Sequence, residues 1–157
     1  MLFRSFDAVT GPLLHIDIRG RGGQSLRDKW ADGPKNYLGL MMAGFPNMFT
    51  VTGPLSPSVM TNMPTAIDQH LNWILDCIGA MEKKGAATIE PRAEDEEAWH
   101  DHAIEVADMT LFPKANSWYM GANIPGKSRT ILPYLGGMVA YRQKCDEAAS
   151  KIGRAHV

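Results

Sequence analysis

Apolar residues recur at Ile67, Leu71, Ile74, Ile78 and Met81, in steps of four, three, four and three. Only a long helix with one greasy face satisfies that spacing, and such a helix is stable only when another apolar surface covers the stripe. The pattern therefore predicts a helix over about 64–84, opened by Pro64, whose missing N–H costs nothing in a first turn, and closed by Lys83-Lys84-Gly85. Cys77 sits beside this stripe and reads as inert packing rather than as a nucleophile. A second helix is expected over about 93–109. Glu94, Asp95, Glu96 and Glu97 suit the positive end of its dipole, Trp99, Ala103, Val106 and Met109 form its apolar face, and Pro113 bars extension. A third helix is expected over about 138–149.

The remaining segments are rich in turns. Leu14 to Arg19 alternates as a strand would, and Gly20 to Gly23 then turns the chain. Met48 to Thr52 reads as a short buried strand, Gly53 to Asn62 as a proline-bearing loop, and Ser117 to Asn123 as a strand leading into Pro125-Gly126. Helices mixed with short strands give an α/β class with an α+β appearance. The 157 residues, 45% hydrophobic and 21% charged, leave room for one modest core. A net charge of −1 gives no general pull toward nucleic acid or anionic membrane. Two cysteines far apart in sequence make no disulfide framework and fit a reducing, cytoplasmic setting. No apolar run approaches the ~20 residues a membrane span needs, so the chain reads as soluble.

The ends differ from the rest. Residues 1–5, MLFRS, and 151–157, KIGRAHV, lack apolar periodicity and back-translate to the ends of common short-read sequencing adapters. Both read as scars around a natural segment from about Phe6 to Ser150.

Three local signals invite chemistry. Gly121 to Ser128 satisfies the phosphate-loop pattern G-x-x-x-x-G-K-[ST], but Pro125 removes a backbone donor from the cradle and Pro133 interrupts the helix that should follow. His100-Asp101-His102, with Glu97 and Glu105, suggests a metal. Residues two apart on a helix diverge, however, and a solvated polar face is the simpler reading, so no metal ligand is assigned. Trp118, Tyr119 and Met120 beside Gly121, Gly126 and Lys127 fit a mobile cover over a ligand, and equally a strand with core aromatics.

Several longer words carry more information: Gly44-Phe45-Pro46-Asn47-Met48-Phe49, Gly53-Pro54-Leu55-Ser56-Pro57-Ser58, Thr110-Leu111-Phe112-Pro113 and Ser117 to Lys127. With Ile16 to Gly20, Trp30, Tyr37-Leu38-Gly39, Gln69-His70, Trp73 and Tyr134 to Gly137, they resemble, in order, the C-terminal part of type I Baeyer–Villiger monooxygenases. The resemblance implies a piece of an enzyme with two dinucleotide-binding domains, for FAD and NADP. In that family a flavin reduced by NADPH activates O2, and one oxygen atom enters a ketone to give an ester or lactone, or oxidises a sulfide. By the same resemblance, Ser58, Val59, Met60, Met63 and Leu132 match substrate-pocket positions, and Phe6 joins them. Asp7 ends a motif near the nicotinamide cofactor, Trp118 is the tryptophan of a mobile lid whose indole reaches the NADP ribose, and Lys127 lies at the surface or near cofactor phosphate. No catalytic residue is carried over. The family's glycine-rich turns, its F-x-G-x-x-x-H-x-x-x-W fingerprint and its catalytic arginine have no counterpart here and are expected upstream. The segment alone is therefore expected to be inactive. Rival readings are a phosphate-loop nucleotide binder through 121–128 and a noncatalytic interaction domain.

Overall fold

In the computed structural model, which describes residues 7–152, three long helices carry the architecture: α3 Met63–Lys83, α4 Ala93–Asp108 and α5 Gly137–Ile152. Two short ones, α1 Gly11–Leu14 and α2 Leu26–Lys29, precede them. The expected Pro64 and Gly85 signals hold, and side-chain contacts add to them. Asn62 caps α3 by accepting a hydrogen bond from the Thr65 N–H at 3.2 Å, and Pro64 sits in the first turn. At the other end Gly85 takes φ +63°, and the Ala86 N–H donates to the Met81 carbonyl at 3.0 Å. The α4 carboxylates act structurally. Glu96 is buried, accepting from Lys29 Nζ at 2.6 Å and from the Ala43 N–H at 3.0 Å, while Asp95 pairs with Arg92 and Glu97 with Lys35.

Helix α3 buries a stripe rotated from the one its aliphatic spacing predicts, keeping Ile74 and Ile78 against the core. Ala66, His70, Trp73, Ile74 and Cys77 face the core, whereas Leu71 and Leu75 are exposed. Trp73 accounts for the rotation: its indole N–H donates to the Cys145 carbonyl of α5 at 2.9 Å, which locks the face carrying 73 and 77 against that helix. On α4, Trp99 and Ala103 are buried as expected, but Met109 falls past the last turn and is 80% exposed. The main core joins these faces to Leu38, Leu40, Met41, Leu55, Ile131, Tyr134 and Tyr141. A smaller core under α2 holds Leu26, Trp30, Met42 and Phe45.

None of the three expected strands forms. Among the described residues, β pairing is confined to isolated bridges, Arg19 to Ser25, Tyr37 to Met41 and Met41 to Phe49. Leu14 ends α1, so the alternation from 14 to 19 belongs to a helix end and a turn. The 48–52 run turns away after Phe49 because Thr52 adopts φ +53°. The 117–123 segment coils as a 3-10 turn, Trp118–Met120, capped by Ser117 and stopped by Gly121 at φ +67°. Of the ends read as scars, 1–5 and 153–157 lie outside the described residues. Lys151 and Ile152 continue α5, and the Ile152 carbonyl accepts from Lys84 Nζ at 2.8 Å.

No helix among the described residues is long and apolar enough to cross a membrane.

Candidate functional site

A cavity of about 470 Å³ opens where the N-terminal segment, the 49–53 run, the start of α3 and the 118–120 turn converge. Ser58, Met63 and Trp118, three of the residues singled out from sequence, line it together. Its walls are mostly apolar: Ala8, Val9, Leu13, Phe49 and Val51 complete them. None of these was legible in the sequence as a pocket residue.

The backbone around this cavity is unusual. Val9 at φ +70°, Thr52 at φ +53° and Ser58 at φ +40° all lie in the left-handed region, and all three line the space. Two are β-branched, for which that conformation is a true outlier. Each costs on the order of 1–3 kcal/mol and persists only when its surroundings over-determine it, as happens at binding and catalytic sites.

Those surroundings are visible for the 53–58 bulge. The Asn36 side chain donates to the Pro54 carbonyl at 2.6 Å and accepts from the Gly39 N–H at 2.8 Å. The Leu55 N–H donates to the Leu132 carbonyl at 2.6 Å, the Tyr134 N–H to the Ser56 carbonyl at 2.8 Å, and the Trp99 indole to the Leu55 carbonyl at 3.2 Å. Gly53 is required: a Cβ there would lie 2.4 Å from the Gly39 carbonyl oxygen. This loop is therefore pinned from several sides, without a ladder.

Trp118 is 36% exposed and stacks on Tyr119 at 3.9 Å between ring centroids, 28° from parallel, with Phe112 edge-on to Tyr119 at 5.4 Å. The Leu132 N–H donates to the Tyr119 carbonyl at 2.8 Å, tying the aromatic turn to the strained bulge through one residue. The Leu132 side chain itself is buried in the molecule and does not line the cavity. Met60 is exposed at the end of the 3-10 turn Ser58–Met60, outside the lining, and Val59 is the middle residue of that turn. Phe6 lies outside the described residues.

Asp7 and Lys127 meet one another. Lys127 Nζ donates to Asp7 Oδ1, to Thr10 Oγ1 at 2.7 Å and to the Ala8 carbonyl at 3.5 Å, beside a second cavity of about 300 Å³. That geometry undoes the phosphate-loop reading. The lysine is held by the N-terminal segment, and the chain after Ser128 stays non-helical until α5 begins at Gly137.

The two core thiols are inert at neutral pH. Burial pushes the Cys77 thiol up to about 12 and the Cys145 thiol up to about 11, so neither offers a thiolate. On α4, Glu97, His100 and Asp101 bring ligand atoms within 4.8 Å of one another, but Lys35 already pairs with Glu97, and His102 turns instead to the Tyr134 hydroxyl at 3.0 Å.

Comparison with known proteins bears on the family. A Baeyer–Villiger monooxygenase of Pseudooceanicola batsensis is 49% identical over 137 residues, covering 87% of this chain and 25% of that protein. An acetone monooxygenase (methyl acetate-forming) of a Gordonia species is 49% identical over 146 residues, covering 92% and 27%. The closed crystal structure of cyclohexanone monooxygenase superposes with a TM-score of 0.91 at 45% identity, covering 97% of this chain and 28% of that one. By these matches the chain is a fragment similar to Baeyer–Villiger monooxygenases. It spans about a quarter of the length of the curated relatives it matches. No protein-family model matches it. Mostly helical with little strand, it corresponds to a C-terminal piece of Baeyer–Villiger monooxygenase structures, the class the sequence resemblance implied. A steroid monooxygenase structure bound to NADP, 43% identical, superposes with a TM-score of 0.86 over 95% of this chain and 28% of that one.

Proposed function

We propose that the protein carrying this chain is an FAD- and NADPH-dependent Baeyer–Villiger monooxygenase that inserts one oxygen atom from O2 into a ketone, giving an ester or lactone. Residues 7–152 supply one wall and the cover of its reaction pocket. The observation that carries this reading is the convergence of Ser58, Met63 and Trp118, from separate segments, on one apolar cavity whose backbone is strained at three positions.

The residues fit one side of a flavin and substrate pocket. The cavity is of ligand size and mostly apolar, and the indole at its edge has an N–H able to donate to a cofactor ribose. When bound, the flavin, reduced by NADPH, supplies the activated oxygen. This chain's own work is positional: Met63, Phe49 and Val51 exclude water, the rigid bulge at Ser58 sets the width of the space, and Trp118 closes it from above. By the family resemblance alone, Phe6, Val59, Met60 and Leu132 count as pocket positions of the complete enzyme, and Asp7 with Lys127 hold the cover near the nicotinamide cofactor. Groups that act on the reacting atoms belong to the rest of the protein. Sulfides are a second substrate class of the same chemistry. The buried, unpaired thiols of Cys77 and Cys145 support a cytoplasmic setting.

In the full-length enzyme, Trp118→Ala should slow ketone oxidation at least tenfold and divert NADPH oxidation toward peroxide. Unchanged coupling would remove Trp118 from the cover. The 157-residue chain by itself should be recovered colourless, with no stoichiometric flavin, since Lys127 is already engaged by Asp7 and only part of a pocket is present. A yellow chain that oxidises NADPH would contradict the division of labour.

A further inference from the structure

His70 stands on the core face of α3, fully buried, behind the cavity rather than in it. Its Nδ1 accepts a hydrogen bond from the Thr52 N–H at 3.0 Å. An accepting Nδ1 carries no proton, so in the neutral ring the proton sits on Nε2. That Nε2 is buried with no hydrogen-bond partner among the described residues. Burial also pulls the histidine pKa down to about 4, which keeps the ring neutral at physiological pH.

These facts oppose one another in an informative way. A leucine would pack among Ala66, Trp73 and Tyr141 without leaving a buried N–H unpaired, which costs roughly 1–3 kcal/mol. A histidine is useful here only for what Nδ1 does. Among the described residues its hydrogen-bond partner is the backbone of Thr52, a β-branched residue at φ +53° that lines the cavity. Thr52 adjoins Gly53 and the bulge that ends at Ser58, so its N–H is the point where α3 grips the strained wall.

We propose that His70 is a positioning residue of the pocket, whose Nε2-protonated ring holds the Thr52 peptide in its left-handed conformation and so fixes the cavity wall from behind. The functional consequence rests on the oxygenase reading; the structural device does not.

Two measurements separate them. The first uses the full 157-residue chain without cofactor. Nitrogen-15 NMR should find His70 neutral and protonated on Nε2, and the Thr52 amide should be protected from hydrogen exchange. An Nδ1-protonated ring, or an unprotected Thr52 amide, whether alone or with the rest of the chain, overturns the proposal. The second uses the full-length enzyme and two substitutions of similar bulk. His70→Asn places a carbonyl oxygen where Nδ1 was, whereas His70→Gln places it near Nε2. The asparagine variant should keep KM for the ketone within about twofold, and the glutamine variant should raise it about tenfold with kcat little changed, the size expected when one buried N–H loses its acceptor. Equal KM values in the two variants would reduce His70 to packing and overturn the proposal. If Thr52 is held by His70 in the chain but the full-length protein oxidises no ketone, the oxygenase reading fails and the device stands.

Discussion

The helical half, residues 63–152, and the looped half, residues 7–60, solve the same problem by opposite means. Between α3, α4 and α5, indoles and phenols do two jobs at once: Trp73, Trp99 and Tyr141 fill the core and donate to the carbonyls of Cys145, Leu55 and Leu38. The looped half has no ladder, and its own core is the smaller one under α2. It is held by side chains that reach across to backbone groups, Asn36 to 39 and 54, His70 to 52, Thr50 Oγ1 to the Gly39 carbonyl. Regular structure satisfies its own polar groups, so it can be rigid anywhere. An irregular segment is rigid only where each N–H and carbonyl finds a specific partner. The cavity sits on the second kind, and the strain it contains is held in place by the first.

The largest test of that division is Trp99→Ala. Trp99 packs on Tyr134 at 4.8 Å and Tyr141 at 6.1 Å while binding the Leu55 carbonyl, so both halves should lose together, by about 3–5 kcal/mol in denaturant unfolding. Loss of the helices alone, with the bulge intact, would break the dependence of one half on the other. Next comes acid. His70 has an ordinary value of 6.5 and a folded value of about 4, so between these it gains a proton only on unfolding. Its contribution is complete above pH 6.5 and declines as pH falls to 4, by at most about 3 kcal/mol, and His70→Asn should flatten that part of the stability profile. The smallest is Asn36→Ala, which leaves the Gly39 N–H and the Pro54 carbonyl unpaired. It should cost about 2 kcal/mol, with hydrogen exchange accelerating first at 53–58 and leaving the α3 and α5 amides slow.

How far the sequence was legible follows the same line. The long helices were readable because a 3.6-residue period, an opening Pro64 and a closing Gly85 are local signals, and all three lie within a few residues of what they control; the Asn62 cap became visible only in the structure. The face of α3 was not, since the aliphatic spacing points to Leu71 while a single indole bond from Trp73 to α5 turns the helix away from it. Alternation at 14–19 and β-favouring residues at 48–52 suggested strands, yet a strand also needs a neighbour, and Thr52 turns the chain before one can form. At the cavity, Ser58, Met63 and Trp118 came from resemblance to known enzymes. Val9 and Thr52 carried no signal at all: nothing in a valine or threonine announces a positive φ. His70 was quoted only as part of a word, and its neighbours in sequence do not reveal that Thr52 lies beside it.

Leu132 has a wider consequence. Its N–H holds the Tyr119 carbonyl while its own carbonyl receives the Leu55 N–H, so a single residue's main chain joins the roof of the cavity to its back wall. A roof that lifts must either break that clasp or drag the wall with it. Because the leucine is fully buried, remodelling here can exchange it only for an apolar side chain of similar bulk, whereas a proline at 132 would remove the N–H that holds the roof and loosen it from the wall.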